Sequence, residues 1–150
     1  MKTIALRFGE HFSPECGTIA AHQELLDELG YVWYGKMGNP VTKRIIDELK
    51  AQEDTRILLI NSGKADRYWA YVSEITRDIP DLKGIPAYYR DMPEKFTTWF
   101  KITAFEPAKR DIMSKCFVVS SGAVLGEVSK HSMNPYFIIN YEEKDNDTDI

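Results

Sequence analysis

Residues 3–8 (Thr-Ile-Ala-Leu-Arg-Phe) alternate apolar and polar side chains, which predicts a first strand. Gly9, Pro14 and Gly17 mark a loop. Thr18 then reads as the cap of a helix, with Ile19, His22, Leu25, Leu26 and Leu29 on one face and Gly30 closing it. Tyr31 to Tyr34 is a β-prone run ending at Gly35 and Gly38. Pro40 stands where a helix start favours proline, and Val41, Ile45, Ile46 and Leu49 fall on one stripe behind it.

Arg56 to Ile60 and Tyr68 to Ile75 predict two strands, joined by the polar turn 61–66 into a hairpin. Residues 77–95 hold Pro80, Gly84, Pro86 and Pro93 around Tyr88 and Tyr89, and read as a long functional loop. Phe96 to Phe105 alternates as a strand, and Pro107 to Met113 reads as a short helix. Cys116 to Ser120 and Tyr136 to Tyr141 give the last strands, with a polar segment around Ser121 and Gly122 between them. Hairpin-like connections favour an α+β chain: a small mixed barrel with a few short flanking helices, not a doubly wound parallel sheet.

No repeat divides the first 141 residues, so they are expected to form one domain. Residues 142–150 are acidic and lack apolar anchors; they read as a disordered tail or a linker. That tail carries the whole formal charge of −4 and leaves residues 1–141 neutral, which disfavours broad tracking of a phosphate backbone. Two cysteines 100 positions apart, Cys16 and Cys116, give no disulfide framework, so a reduced, cytoplasmic setting is expected. The longest apolar runs, such as 57–60, are far too short for a bilayer, so no membrane partner is expected.

Catalytic motifs are missing: there is no GxGxxG, GxxxxGK[ST], HExxH or GxSxG. His11, His22 and His131 show no metal-ligand rhythm, and neither a metal nor a cofactor is expected. His22 reads as a packed core histidine, and Ser120-Ser121-Gly122 as a turn. The aromatics carry more information. Neighbours on a strand face opposite sides, so Trp33 and Tyr34 cannot share one core, nor can Trp99 and Phe100. Some of these rings are available for an aromatic-walled pocket, the surface that an unstacked base needs.

In order, the chain shows Trp33, a Gly/Asn turn, the helix 41–49, the hairpin Ile57-Leu58-Leu59-Ile60-Asn61-Ser62-Gly63 with 68–75, then Trp99-Phe100-Lys101-Ile102 with Pro107 and Ile112. This order resembles the PUA-like superfamily, specifically its EVE and YTH branch, over roughly residues 30–120. The resemblance implies a small barrel that holds a modified base, such as a methylated adenine or cytosine, in an aromatic cage. Trp33 would be a wall of that cage, with Tyr34 beside it, and Asn61 and Ser62 would approach the base edge. Gly35 and Asn39 would shape the adjoining turn. Where the family has a small residue this chain has Trp69 or Tyr68, either of which would fill part of the pocket. Tyr88 or Tyr89 would supply the second wall. Lys36, Lys43, Lys64 and Arg67, with Arg44, are placed to contact phosphates.

The expected function is therefore non-enzymatic recognition of a modified base in DNA or RNA. The resemblance further implies the specificity module of a modification-dependent restriction or defence system, with a fused or associated nuclease or NTPase effector. Two other classes remain open. One is a hydrolase or deaminase of a small nucleotide-like molecule, for which Cys16, Glu10 and Lys101 are the nominated residues. The other is a protein-interaction module with Tyr88 and Tyr89 as hot spots.

Overall fold

The computed structural model describes residues 1–8, 16–61, 65–132, 134 and 136–142, and of Tyr89 the backbone alone. Seven strands form one mixed sheet: β1 (Lys2–Phe8), β2 (Val32–Met37), β3 (Arg56–Asn61), β4 (Arg67–Thr76), β5 (Phe96–Pro107), β6 (Cys116–Val118) and β7 (Tyr136–Tyr141). Three helices accompany them: α1 (Thr18–Leu29), α2 (Lys43–Lys50) and α3 (Leu125–His131). The strand order is β2-β5-β4-β3-β1-β7-β6. β1 runs parallel to β3 and antiparallel to β7; the other pairs are antiparallel.

The sheet curls. Val32 and Tyr34 of outer strand β2 share a hydrophobic cluster with Ile4, Leu6 and Phe8 of β1, although three strands lie between them. Tyr136 and Ile138 of β7 pack against the same cluster. β4 bends to allow this, with breaks in its register against β5 around Val72. Among the described residues no hydrogen-bonded pairing joins β2 to β6. Leu26 of α1 and Ile45, Ile46 and Leu49 of α2 cover this concave face.

Alternation along the central strands gives them a second buried face. Ala5, Leu58, Ile60, Trp69 and Phe137 pack outward against Ile112, Met113 and Leu125. A third cluster, Trp33, Ile85, Phe96 and Trp99, lies outside β2 and β5, beneath the connection that follows β4.

The helix ends depart from the sequence reading. Gly17, not Thr18, is the N-cap of α1; Thr18 is the first helical residue and is buried, and its carbonyl oxygen bonds His22. Gly30 closes α1 as expected, its N–H donating to Leu26 O at 2.7 Å. α2 begins after Thr42, not at Pro40, because the Thr42 hydroxyl accepts the Ile45 N–H. Only the turn Ile112–Ser114 forms where a helix over 107–113 is predicted, and β6 stops at Val118. α3 occupies part of the segment read as polar and irregular. The connection 77–95 carries three short 3₁₀ turns, Leu82–Gly84, Ala87–Tyr89 and Pro93–Lys95.

Candidate functional site

β1 and β3 end side by side, with Phe8 opposite Asn61. Alternation puts Asn61 on the face of Leu59 and Phe8 on that of Leu6, so both point to the concave side. Both are 6% exposed. Tyr136 stands opposite Leu6, Tyr68 opposite Leu59 and Phe105 opposite Ala70; these three rings are half-buried against the concave cluster. Tyr34 and Lys36 project from β2 onto the same side. The concave face therefore carries Phe8, Tyr34, Tyr68, Phe105 and Tyr136, with Asn61 and Lys36 as its polar groups.

His22 lies where α1 crosses this face. Its ring centroid is 5.1 Å from that of Tyr34, 6.3 Å from Tyr88 and 6.4 Å from Phe105. Nδ1 lies 2.9 Å from the Thr18 carbonyl oxygen, which only accepts, so Nδ1 carries the proton and Nε2 is the acceptor. Burial pushes the His22 pKa down to about 4 against a smaller opposing effect of that bond, so the imidazole is neutral at pH 7.

Lys36 is buried too, 6% exposed. Its ammonium donates to Met37 O at 3.0 Å and to Asn39 O, and lies 4.8 Å from the centroid of the Tyr136 ring. Burial holds its pKa below the usual lysine value. The turn after β2 is pinned from other directions as well. Thr97 Oγ1 shares its proton between Gly38 O at 2.6 Å and Lys36 O at 3.2 Å. Arg77 forks onto Val41 O at 2.7 and 3.1 Å, and Thr98 Oγ1 accepts the Val41 N–H. A turn tied at this many carbonyls is preorganised, as a recognition surface requires.

The family model for PUA-like domains matches residues 4–146. The chain belongs to the PUA-like family. The match takes in β1 and α1, which lie outside the resemblance read over 30–120. Among curated proteins and among solved structures, none matches the chain. PUA-like domains typically bind RNA and other nucleic acids. No described helix is long and apolar enough to cross a membrane.

In this PUA-like domain the residues singled out from sequence are distributed over three surfaces. Tyr34, Lys36 and Asn61 all face the concave side. Trp33 points the other way and is 5% exposed, in the cluster with Ile85, Phe96 and Trp99. Gly84 seats the covering loop on it so closely that a Cβ there would lie 2.8 Å from Trp33 Cδ1. Tyr88 packs against this outer cluster and also approaches His22, which links the two surfaces. Trp69 is in the other outward cluster, its ring 5.0 Å from that of Tyr141 and under the Arg56 guanidinium at 4.6 Å. It fills that layer, not the concave face.

Gly35 faces Phe96 and Trp99, and Asn39 is exposed with its carbonyl bound to Lys36. Among the phosphate candidates, Lys43 is exposed on the first turn of α2, whereas Lys36 is inside. Arg67 is half-buried, and its Nε has no hydrogen-bond partner among the described residues. Ser62, Lys64, the loop residues Glu10 and His11, the Tyr89 side chain and positions 143–150 of the tail lie outside the described residues.

Sequence reasoning did not single out Phe8, Phe105, Tyr136 or His22 for this face, and named Tyr68 as the alternative to Trp69. One signal bears on the choice between them: Tyr68 is in phase with Ala70 and out of phase with Trp69, so Tyr68 and not Trp69 lies on the concave side. Of the groups nominated for catalysis, Lys101 stacks its ammonium 4.7 Å from the Tyr31 ring on the outer side of β2. Buried Cys116, its thiol pushed up to about 12 by desolvation, has no thiolate at neutral pH. Among the described residues no three His, Cys, Asp or Glu side chains converge as a metal site would require.

Proposed function

We propose that this PUA-like domain binds nucleic acid by taking one modified base, such as a methylated one, between the rings of its concave face. The observation that carries this reading is the set of half-buried rings Tyr68, Phe105 and Tyr136 beside Tyr34, Asn61 and Lys36. A base offers π-faces to the rings, a methyl group gains contact where water is excluded, and the polar groups meet the base edge.

Magnitudes favour an already unstacked target. Each base–aromatic contact contributes about 1–3 kcal/mol, while extruding a base from a duplex costs a few kcal/mol. Two rings therefore barely offset the extrusion from a paired helix but give net binding to a single strand. With residues 1–141 neutral, phosphate contacts from residues such as Lys43 and Arg67 add little, and the salt dependence is shallow. On this reading the chain is an EVE- or YTH-type reader in the cytoplasm, the specificity module of a restriction or defence assembly with a nuclease or NTPase effector.

The test is fluorescence-detected binding of matched oligonucleotides, modified and unmodified, single- and double-stranded. Tighter binding of a modified single strand is expected. Tyr68→Ala should weaken it roughly 10–100-fold, the loss of one stacking partner. A Tyr68→Ala protein with unchanged affinity and selectivity would remove the concave face from the reading.

A further inference from the structure

Lys36 is the one charged side chain in the buried class among the described residues. The described ion pairs join other cations to carboxylates: Lys2 and Arg44 to Glu48, Lys115 to Asp111, Lys130 to Glu127. Lys36 is bound by two backbone carbonyls and a ring face. A buried charge without a counter-charge is costly unless something else satisfies it. An ammonium also has three N–H donors and no acceptor, and the two carbonyls use two of them. Among the described residues the third N–H has the Tyr136 ring face and no oxygen acceptor, and no carboxylate offsets the charge, on the face that also carries Tyr34 and Asn61.

The group that completes this arrangement is a hydrogen-bond acceptor, preferably an oxygen that bears partial negative charge. Buried between ring-bearing strands, Lys36 is poorly placed for a phosphate on the outside of a strand and well placed for the edge of an inserted base. Cytosine, uracil, thymine and guanine each present an exocyclic carbonyl oxygen. Adenine presents no exocyclic oxygen: its exocyclic amine opposes an ammonium donor, and its acceptors are ring nitrogens alone.

We infer that Lys36 is the specificity-determining residue of the proposed base site and that the base taken is an oxo-base, its exocyclic oxygen accepting the third N–H of the ammonium. This rests on the base-binding reading above and narrows it, excluding methylated adenine as the preferred ligand. Asn61, on the same face, is the second polar group available to the base edge.

Matched single-stranded oligonucleotides carrying one 5-methylcytosine, thymine, 1-methylguanine or N6-methyladenine test it, with wild type and Lys36→Met. At least one oxo-base should bind wild type about tenfold more tightly than methyladenine, the effect of one hydrogen bond from a charged donor. Lys36→Met should remove that advantage, costing the favoured oxo-base about tenfold more than methyladenine. Preferred binding of methyladenine overturns the inference but keeps the base-binding reading. So does an equal loss on every oligonucleotide, the mark of a phosphate contact or a loosened turn. No binding of any oligonucleotide overturns the base-binding reading itself, and this inference with it. Should Lys36→Met fail to fold, the thio analogues of whichever oxo-base binds tightest decide on wild type. Sulfur is the weaker acceptor, so replacing the contacted oxygen should weaken binding several-fold; equal binding of that base and each of its thio analogues overturns the inference.

Discussion

Trp99→Ala is expected to destabilise the protein by about 3–5 kcal/mol, among the largest costs of a single truncation in this chain. Trp99 is fully buried and lies opposite Gly35 in the β2–β5 ladder. Gly35 separates Tyr34 from Lys36, so the void would open directly behind the strand that presents both. The surrounding rings cannot collapse into it easily, because Phe96, whose centroid is 5.0 Å from that of Trp99, already packs on Gly35. Gly35→Ala probes the same spot from the other side. Its Cβ would lie 2.7 and 2.8 Å from Phe96 ring carbons and 3.0 Å from Trp99, an overpacking cost of about 1–3 kcal/mol. Denaturant midpoints at constant m would measure both. A Trp99→Ala loss below about 1 kcal/mol would show that the outer cluster does not brace β2.

Acidification should cost about 3 kcal/mol of stability between pH 6.5 and pH 4, through His22. In the unfolded chain the imidazole takes up a proton near its ordinary value of 6.5; in the folded protein burial delays this to about 4. Between those values the unfolded state binds more protons, so stability rises with pH. The contribution is complete above about 6.5, declines as pH falls, and reaches its floor near 4. The Glu48 carboxyl is held below its ordinary value by the hydrogen bonds from Lys2 and Arg44, so its own loss begins only below about 4.5. Denaturation series at half-unit steps from pH 4 to 7.5 should show the slope in wild type and its disappearance in His22→Leu. A wild-type profile flat across that range would contradict the buried neutral imidazole. Because His22 touches Tyr34 and stays neutral in the folded protein down to about 4, ligand binding should hold across that interval and weaken only near pH 4.

Where a single strand's own pattern decides the structure, the sequence was legible. The β3–β4 hairpin, the strand after Tyr31 and the Gly30 helix stop follow from alternation, turn residues and a left-handed cap. α3 was hidden because its stripe has only Leu125 and Val128, interrupted by Gly126 and Ser129, and packing against the turn Ile112–Ser114 supports it. The predicted helix at 107–113 contains Lys109, Arg110 and Asp111 in succession, which leaves no apolar stripe beyond one turn. The parallel pairing of β1 with β3 has no local signature. For the site the difficulty was directional: alternation says that Trp33 and Tyr34 face opposite ways, but not which way is concave. Lys36 reads as a surface cation in any local window. Only the curl that brings β2 against β7 turns it inward.

The position of β1 also bears on how the chain is made. β1 is buried along most of its length, and its two hydrogen-bonding edges are filled by β3, finished at Asn61, and by β7, finished only at Tyr141. During synthesis one edge of a strand carrying Ile4, Leu6 and Phe8 stays open for some eighty residues of elongation. An open, apolar strand edge is a template for pairing with another copy. Fragments that stop before Tyr136 would therefore be prone to aggregation, and rapid production of the full chain would be most exposed to it before the last strand docks.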